Sequence, residues 1–331
     1  MTSQRRLISR LVKRNIKPSN VPTISIENVA EEIIGTDYNK IESFHHYFNN
    51  DNNIHRQHDH HFLKKHLFQC EISCPIQDEL IKGKDCKIID LGCGPSTFLL
   101  DLSAQHPNSR FFGVDIETTF PSEIKPKNLE FKLVDIIQGL PFPDNAFDLV
   151  HIESTLFTIP SVHVNFIISE MIRICKPNGY IEFCESIYNQ KSRGIGEKFG
   201  KLLHGYMHIA LNLPKMLSMI PNIKNINLED QTIIVGKNGG KVGVIMHDIL
   251  TWFKNSSEFF VNDICKQLNL TKEQYDQLIV DAFNELNVTF SEMIFRRIYV
   301  QKSVLSVRIN NSITPKLDNP SSDGYDQIKN N

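Results

Sequence analysis

From Cys86 onward the chain alternates short apolar runs with stretches of helical periodicity, which restricts the fold to βα units built around a parallel sheet. Five successive strands are read at Lys87–Leu91 (KIIDL), Arg110–Asp115 (RFFGVD), Leu129–Val134 (LEFKLV), Phe147–Ile152 (FDLVHI) and Gly179–Glu185 (GYIEFCE). Between the fourth and fifth, Phe166, Ile167, Met171, Ile174 and Cys175 fall at helical spacing, so Val164–Cys175 reads as a helix stopped by a turn at Lys176–Gly179. After the fifth strand come a helical stretch at Arg193–Leu213 interrupted by Pro214, a loop over Pro221–Asp230 and a strand at Gln231–Val235. Helices are expected over Val244–Leu268 and Thr271–Leu286, the second opened by a Thr271–Gln274 capping box, before a last strand at Phe295–Gln301. Upstream of the sheet, Ile41–Gln69 reads as helix with a break at Asn49–Asn53.

The chemistry concentrates where strands of such a sheet end. Asp90-Leu91-Gly92-Cys93-Gly94-Pro95-Ser96 lies where a buried strand turns sharply into a helix, and two glycines there let the backbone pass beneath a ligand. A dinucleotide loop would place a third glycine three residues after Gly94, and position 97 is Thr, which weakens an NAD reading. Asp90, preceding the glycines, is placed to reach a cationic ligand end directly or through water. Asp115 ends the second strand 23 residues after Gly92 and can accept from both hydroxyls of a ribose. Asp135 ends the third, where a carboxylate accepting from an adenine amino group would stand beside an apolar contact from Ile136. Asp115 and Asp135 taken singly also read as helix caps or solvated loop acids, and the glycine loop as an ordinary tight turn. Together, three acids ending three consecutive strands should converge on one crevice at the carboxyl edge of the sheet.

Composition closes off several classes. With 331 residues, 40% hydrophobic, 22% charged and a net charge of −2, the chain reads as an ordinary globular protein without the charge of a nucleic-acid binder. No run of about 18 apolar residues suggests a membrane span. The seven cysteines show no paired CxxC spacing, so a reduced compartment, cytoplasmic in the first instance, is expected. The segment before residue 27 carries Arg5, Arg6, Arg10, Lys13, Arg14 and Lys17 and no acid. It reads as a disordered basic arm, a mitochondrial presequence, or a nuclear or membrane-surface address. Asn310–Asn331 reads as a disordered polar tail.

Seven of the thirteen histidines, His45, His46, His55, His58, His60, His61 and His66, crowd into one segment. Zinc would want three or four convergent ligands, which the pairs His58/His61 and His61/His66 do not establish, so no metal is expected. The preferred reading is a helical lid with most of these imidazoles facing solvent.

The segments Asp90–Ser96 (DLGCGPS), Gly113–Ile116 (GVDI), Leu140–Asp148 (LPFPDNAFD) and Lys176–Gly179 (KPNG) resemble the successive motifs of class I methyltransferases that use S-adenosylmethionine (SAM). Over about residues 40–302 the chain is similar to fungal methyltransferases related to regulators of secondary metabolism and to trans-aconitate methyltransferases. That similarity runs through Arg56–His61 (RQHDHH), Phe147–Glu153 (FDLVHIE), Tyr180–Glu185 (YIEFCE) and Gly239–Gly243 (GGKVG). The resemblance implies an α/β, Rossmann-like sheet of seven strands in the order 3-2-1-4-5-7-6, strand seven antiparallel. It also implies one methyltransferase domain over residues 31–302 with an N-terminal lid (41–69) and a helical cap insertion (186–230), flanked by the arm (1–30) and tail (303–331). SAM would be held by Asp90, Gly92, Cys93, Gly94, Asp115, Ile116, Asp135, Ile136 and His151, with Arg56 and His61 contributed by the lid. Relatives often carry His-x-Arg after strand four, whereas this chain has His151-Ile152-Glu153, so substrate polarity should differ there.

Methyl transfer from a sulfonium is an in-line displacement in which positioning dominates and a base is optional. His151 is the best candidate base by location, with Glu153 as partner; stacking over the cofactor or capping a helix are its equal alternatives. His204, Tyr206 and His208 lie on the cap and are open to substrate contact. A small-molecule acceptor is expected, without nucleic acid or membrane, and with a protein partner left open. The other function class is a SAM-binding regulatory protein with weak or absent catalysis.

Overall fold

The structure, a computed structural model, describes residues 51–188, 209–251 and 258–304. The expected basic arm, the lid before Asp51 with His45 and His46, the cap residues 189–208 with His204, Tyr206 and His208, and the tail from 305 lie outside those residues.

The strands β1 (Lys87–Leu91), β2 (Arg110–Asp115), β3 (Leu129–Leu133), β4 (Phe147–Glu153), β5 (Cys175–Tyr188), β6 (Ile223–Ile234) and β7 (Glu292–Lys302) form one sheet in the order β3-β2-β1-β4-β5-β7-β6. β1 to β5 pair in parallel, and β7 runs antiparallel to both of its neighbours, as expected. Ile88, Ile89, Asp90 and Leu91 are all buried, as a central strand covered on both faces requires. On one face α2 (Ile76–Ile81) and α3 (Thr97–Gln105) pack over Ile88, Phe111 and Leu149, and α1 (Asp51–Phe68) meets α3 through His58 and His61. Against the other, Ile89, Val150, Ile152, Ile181 and Phe183 meet α4 (Ser161–Ile174) and the helical residues 209–218, α5. A third cluster joins the start of β7 to α6 (Gly240–Leu250), α7 (Glu258–Leu268) and α8 (Lys272–Leu286). The expected capping box opens α8: Gln274 N donates to Thr271 Oγ1 and Thr271 N to Gln274 Oε1.

Several boundaries differ from the sequence reading. α4 begins at Ser161, just after Pro160. The chain enters β5 at Cys175, and the expected turn Lys176–Gly179 is a bulge within the strand. Pairing there jumps from Phe147↔Cys175 to Leu149↔Tyr180, with Asn178 at φ 62°. The stretch read as a loop, Pro221–Asp230, is mostly β6; as an outer strand with few buried side chains it lacks the apolar alternation of a half-buried strand. The helix of 209–218 continues across Pro214, Asn52 and Asn53 are helical rather than a break, and α6 ends at Leu250.

Candidate cofactor and methyl-transfer site

The loop after β1 is built from backbone that favours glycine. Gly92 and Gly94 hold φ of 71° and 52°, and Ser96, just before α3, sits at 63°. Gly92 N and Cys93 N donate to Val114 O, and Gly94 N donates to Asp115 Oδ2 at 2.8 Å, so the end of β2 cradles the loop. The space a Cβ would take is filled by protein at both glycines. At Gly92 it would lie 2.5 Å from Thr155 Oγ1, and at Gly94 it would collide with the Gln57 amide of α1. At Gly92 the close neighbour is a Thr155 side chain held at the β4 end, whereas at Gly94 it is the far end of the flexible Gln57 side chain, so the positive φ is the firmer demand for glycine there.

Asp115 and Asp135 end neighbouring strands at the carboxyl edge of the sheet, as expected. Asp115 Oδ1 also accepts from Glu117 N at 3.0 Å, and Asp135 Oδ1 accepts from Ile137 N, capping the short helix Ile136–Gln138. The capping alternative for Asp135 is therefore realised. Ile116 is half-buried and Ile136 buried. Burial, with Asp90 and Asp115 near, pushes the Cys93 thiol well up, so it remains protonated.

Asp90 and His151 are register neighbours on β1 and β4, and His151 Nδ1 lies 2.8 Å from Asp90 Oδ1. The imidazole stacks under Phe98 at 4.2 Å between centroids and is 1% exposed. Asp90 Oδ1 thus holds the imidazole through Nδ1, which leaves Nε2 of that histidine for other chemistry.

This pair belongs to a polar row crossing the sheet, Asp90↔His151↔Glu182↔Tyr299, with a second row, Glu153↔Cys184↔Arg297↔Glu229, one step nearer the carboxyl edge. Buried Glu182 accepts from Ser73 N and Cys74 N at 3.0 and 2.9 Å, pinning the segment that follows α1. Arg297 stacks on Phe68 and donates to Cys70 O and Ser73 Oγ.

Helix α1 covers these rows. His58 hydrogen-bonds Thr97 Oγ1 at the start of α3. His60 packs on Phe295 and lies 3.9 Å from Glu153, and Lys64, 1% exposed, ion-pairs with Glu153. Only His55 and His66 among the described histidines of α1 are exposed, so the expectation of mostly solvent-facing imidazoles is corrected for His58 and His60. Burial, then Lys64 and Arg56, drives His60 well below the ordinary histidine range. Burial brings the half-buried Arg56 down to about 10.

His61 faces α3: its Nε2 lies 3.5 Å from Asp101 and 3.7 Å from Glu71. Burial and then Lys64 bring it to about 4. His61, Glu71 and Asp101 have the grouping of a metal site, and the Lys65 ammonium pairs with both acids, so a side-chain cation already stands against them. Lys64, His60, Glu182 and Glu185 were missed by sequence reasoning. Their only linear signal is that His60 and Lys64 lie four apart on the inward face of a helix.

Residues 88–179 match the family described as a methyltransferase domain. The N-methyltransferase verN of Clonostachys rogersoniana is 24% identical over 78% of this chain and 92% of its own length. A demethylmenaquinone methyltransferase of Anoxybacillus flavithermus is 32% identical over 31% of this chain; the chain spans under half, 46%, of that relative. Among solved structures, Haemonchus contortus phosphoethanolamine N-methyltransferase 2 in complex with S-adenosyl-L-methionine aligns with TM-score 0.44 and 14% identity, covering 80% of this chain and 61% of that one. Residues 88–179 thus carry the match to a methyltransferase domain, and the sheet has the strand order expected of class I methyltransferases. The methyl donor of that class is S-adenosylmethionine.

Proposed function

We propose that this protein transfers a methyl group from SAM to a small-molecule acceptor. The observation that carries the reading is the loop Gly92–Gly94, tied by its Gly94 amide to Asp115 at the carboxyl edge of the sheet, where ligands of open α/β sheets sit. The donor set suits SAM: Asp115 for the ribose hydroxyls, Asp135 with Ile136 and Ile116 for adenine, and the backbone of Gly92, Cys93 and Gly94 beneath the methionyl end.

Bound SAM supplies an electrophilic methyl group. The protein's part is positioning and exclusion of water. Asp90 fixes the His151 imidazole through Nδ1, and Phe98 fixes its plane, leaving Nε2 as the atom that can hold an acceptor proton. Glu153, whose side chain is 22% exposed, is the strand-end acid open to an acceptor, and His60 and Lys64 orient it. Helix α1, bringing Gln57, Arg56 and His61 across the loop and α3, acts as the lid.

Thermal unfolding with SAM, S-adenosylhomocysteine or NAD tests the cofactor. A ligand at a hundredfold excess over its Kd adds about 2.7 kcal/mol to stability. SAM and S-adenosylhomocysteine should raise the melting temperature and NAD should not. Label from methyl-labelled SAM should then appear in small molecules of a cell extract; equal stabilisation by NAD, or no labelled product, would end the reading.

A further inference from the structure

Lys64 is an unusual residue for the inward face of a covering helix. Its side chain is 1% exposed, and burial lowers its pKa. Its ammonium stands among groups from the ends of three strands: it ion-pairs with Glu153 of β4 and interacts electrostatically with Asp90 of β1 and with Glu185 and Cys184 of β5. Arg297 of β7 is a second cation nearby.

These neighbours leave Lys64 underused. Asp90 is engaged by His151. Burial pushes Glu185 up to about 8 despite hydrogen bonds from the Leu156 and Thr155 backbone, so near neutral pH it is largely uncharged. Glu153 alone is a formal counter-charge in direct contact, and it is the member of the group that reaches solvent. An ammonium carries three donors. Beyond the Glu153 contact, those of Lys64 have no hydrogen-bond partner among the described residues, and neither has Glu185 Oε1. Buried donors left unmade are costly, so a site with spare donors at the ligand-binding edge of the sheet is shaped for an incoming acceptor.

We propose that Lys64 holds the carboxylate of the amino-acid end of the bound cofactor, which makes the lid helix part of the cofactor site. The inference rests on the SAM reading above. It gives the buried cation a role: Glu153 takes one contact of Lys64, and a ligand carboxylate supplies the remaining acceptors. The alternative is a structural clasp, in which the Lys64–Glu153 pair only fastens α1 to β4.

Two ligands separate these possibilities. S-adenosylhomocysteine and 5′-methylthioadenosine share the adenosine thioether, and only the first carries the amino-acid carboxylate. Affinities of both would be measured by calorimetry on the full chain for wild type, Lys64→Met and Glu153→Gln. Lys64→Met should weaken S-adenosylhomocysteine by about tenfold or more, the scale of a hydrogen bond to a charged group, and leave 5′-methylthioadenosine within about twofold. Glu153→Gln, which releases Lys64 without removing it, should retain or improve S-adenosylhomocysteine binding. An equal loss of both ligands in Lys64→Met, or no loss of either, overturns the proposal in favour of the clasp. If Lys64→Met does not fold, a selective fall in S-adenosylhomocysteine affinity in Glu153→Gln overturns it instead. Wild-type protein that binds neither ligand would refute the SAM reading itself, a different result from either of these.

Discussion

Replacing Gly92 with Ala probes two separate demands on the loop. At φ 71° a residue with a Cβ pays the left-handed penalty, about 1–2 kcal/mol. The new methyl also lands 2.5 Å from Thr155 Oγ1 and 2.6 Å from its Cγ2. Thr155 is 8% exposed, and its hydroxyl donates to Glu153 O at 2.8 Å, so it cannot swing away freely. Overpacking of this kind costs about 1–3 kcal/mol, for a total of about 2–5 kcal/mol. Thr155→Ala removes the two close atoms, leaving its Cβ at 3.1 Å, and by itself loses one hydrogen bond, about 1 kcal/mol. In a double-mutant cycle followed by urea unfolding, the Gly92→Ala penalty should shrink by about 1–3 kcal/mol in the Thr155→Ala background, leaving the backbone term. An identical penalty in both backgrounds would show that Thr155 does not create the need for glycine.

Two further outcomes follow from the site. Asp115→Ala removes the acceptor for Gly94 N and for a ribose, so S-adenosylhomocysteine should weaken by about 1.5–3 kcal/mol in calorimetry, with Asp115→Asn intermediate; unchanged affinity in both would make Asp115 a loop brace alone. His61 is neutral when folded, at about 4 against 6.5 as its ordinary value, because burial and then Lys64 disfavour its charge. Protonation therefore favours the unfolded chain: stability is full above the ordinary value and is lost as pH falls towards about 4, on the order of 3 kcal/mol in all. Urea midpoints between about pH 7.5 and about pH 5 should fall less in His61→Gln than in wild type, and equal slopes would remove His61 from the acid sensitivity.

Local sequence determined what depends on chain-local rules. Strands β1, β2, β4 and β5 were legible because buried parallel strands are short apolar runs, and the capping box of α8 because Thr271 and Gln274 satisfy one another three residues apart. The glycine loop and the strand-end acids were legible because backbone handedness and strand termini are written in consecutive residues. The polar edge strand β6 was not, since an outer strand needs no buried face to mark it. Sequence also could not show why Gly92 and Gly94 are glycines. The atoms that would meet a Cβ belong to Thr155 and Gln57, brought there by β4 and α1. The same holds for the two polar rows and for Lys64. Asp90 and His151 are 61 residues apart, and Lys64 and Glu153 lie on different elements, so their chemistry exists only once strand register and helix docking set them together. Burial then decides what these groups do, because a charge that water would solvate along the chain must find its partner within the fold.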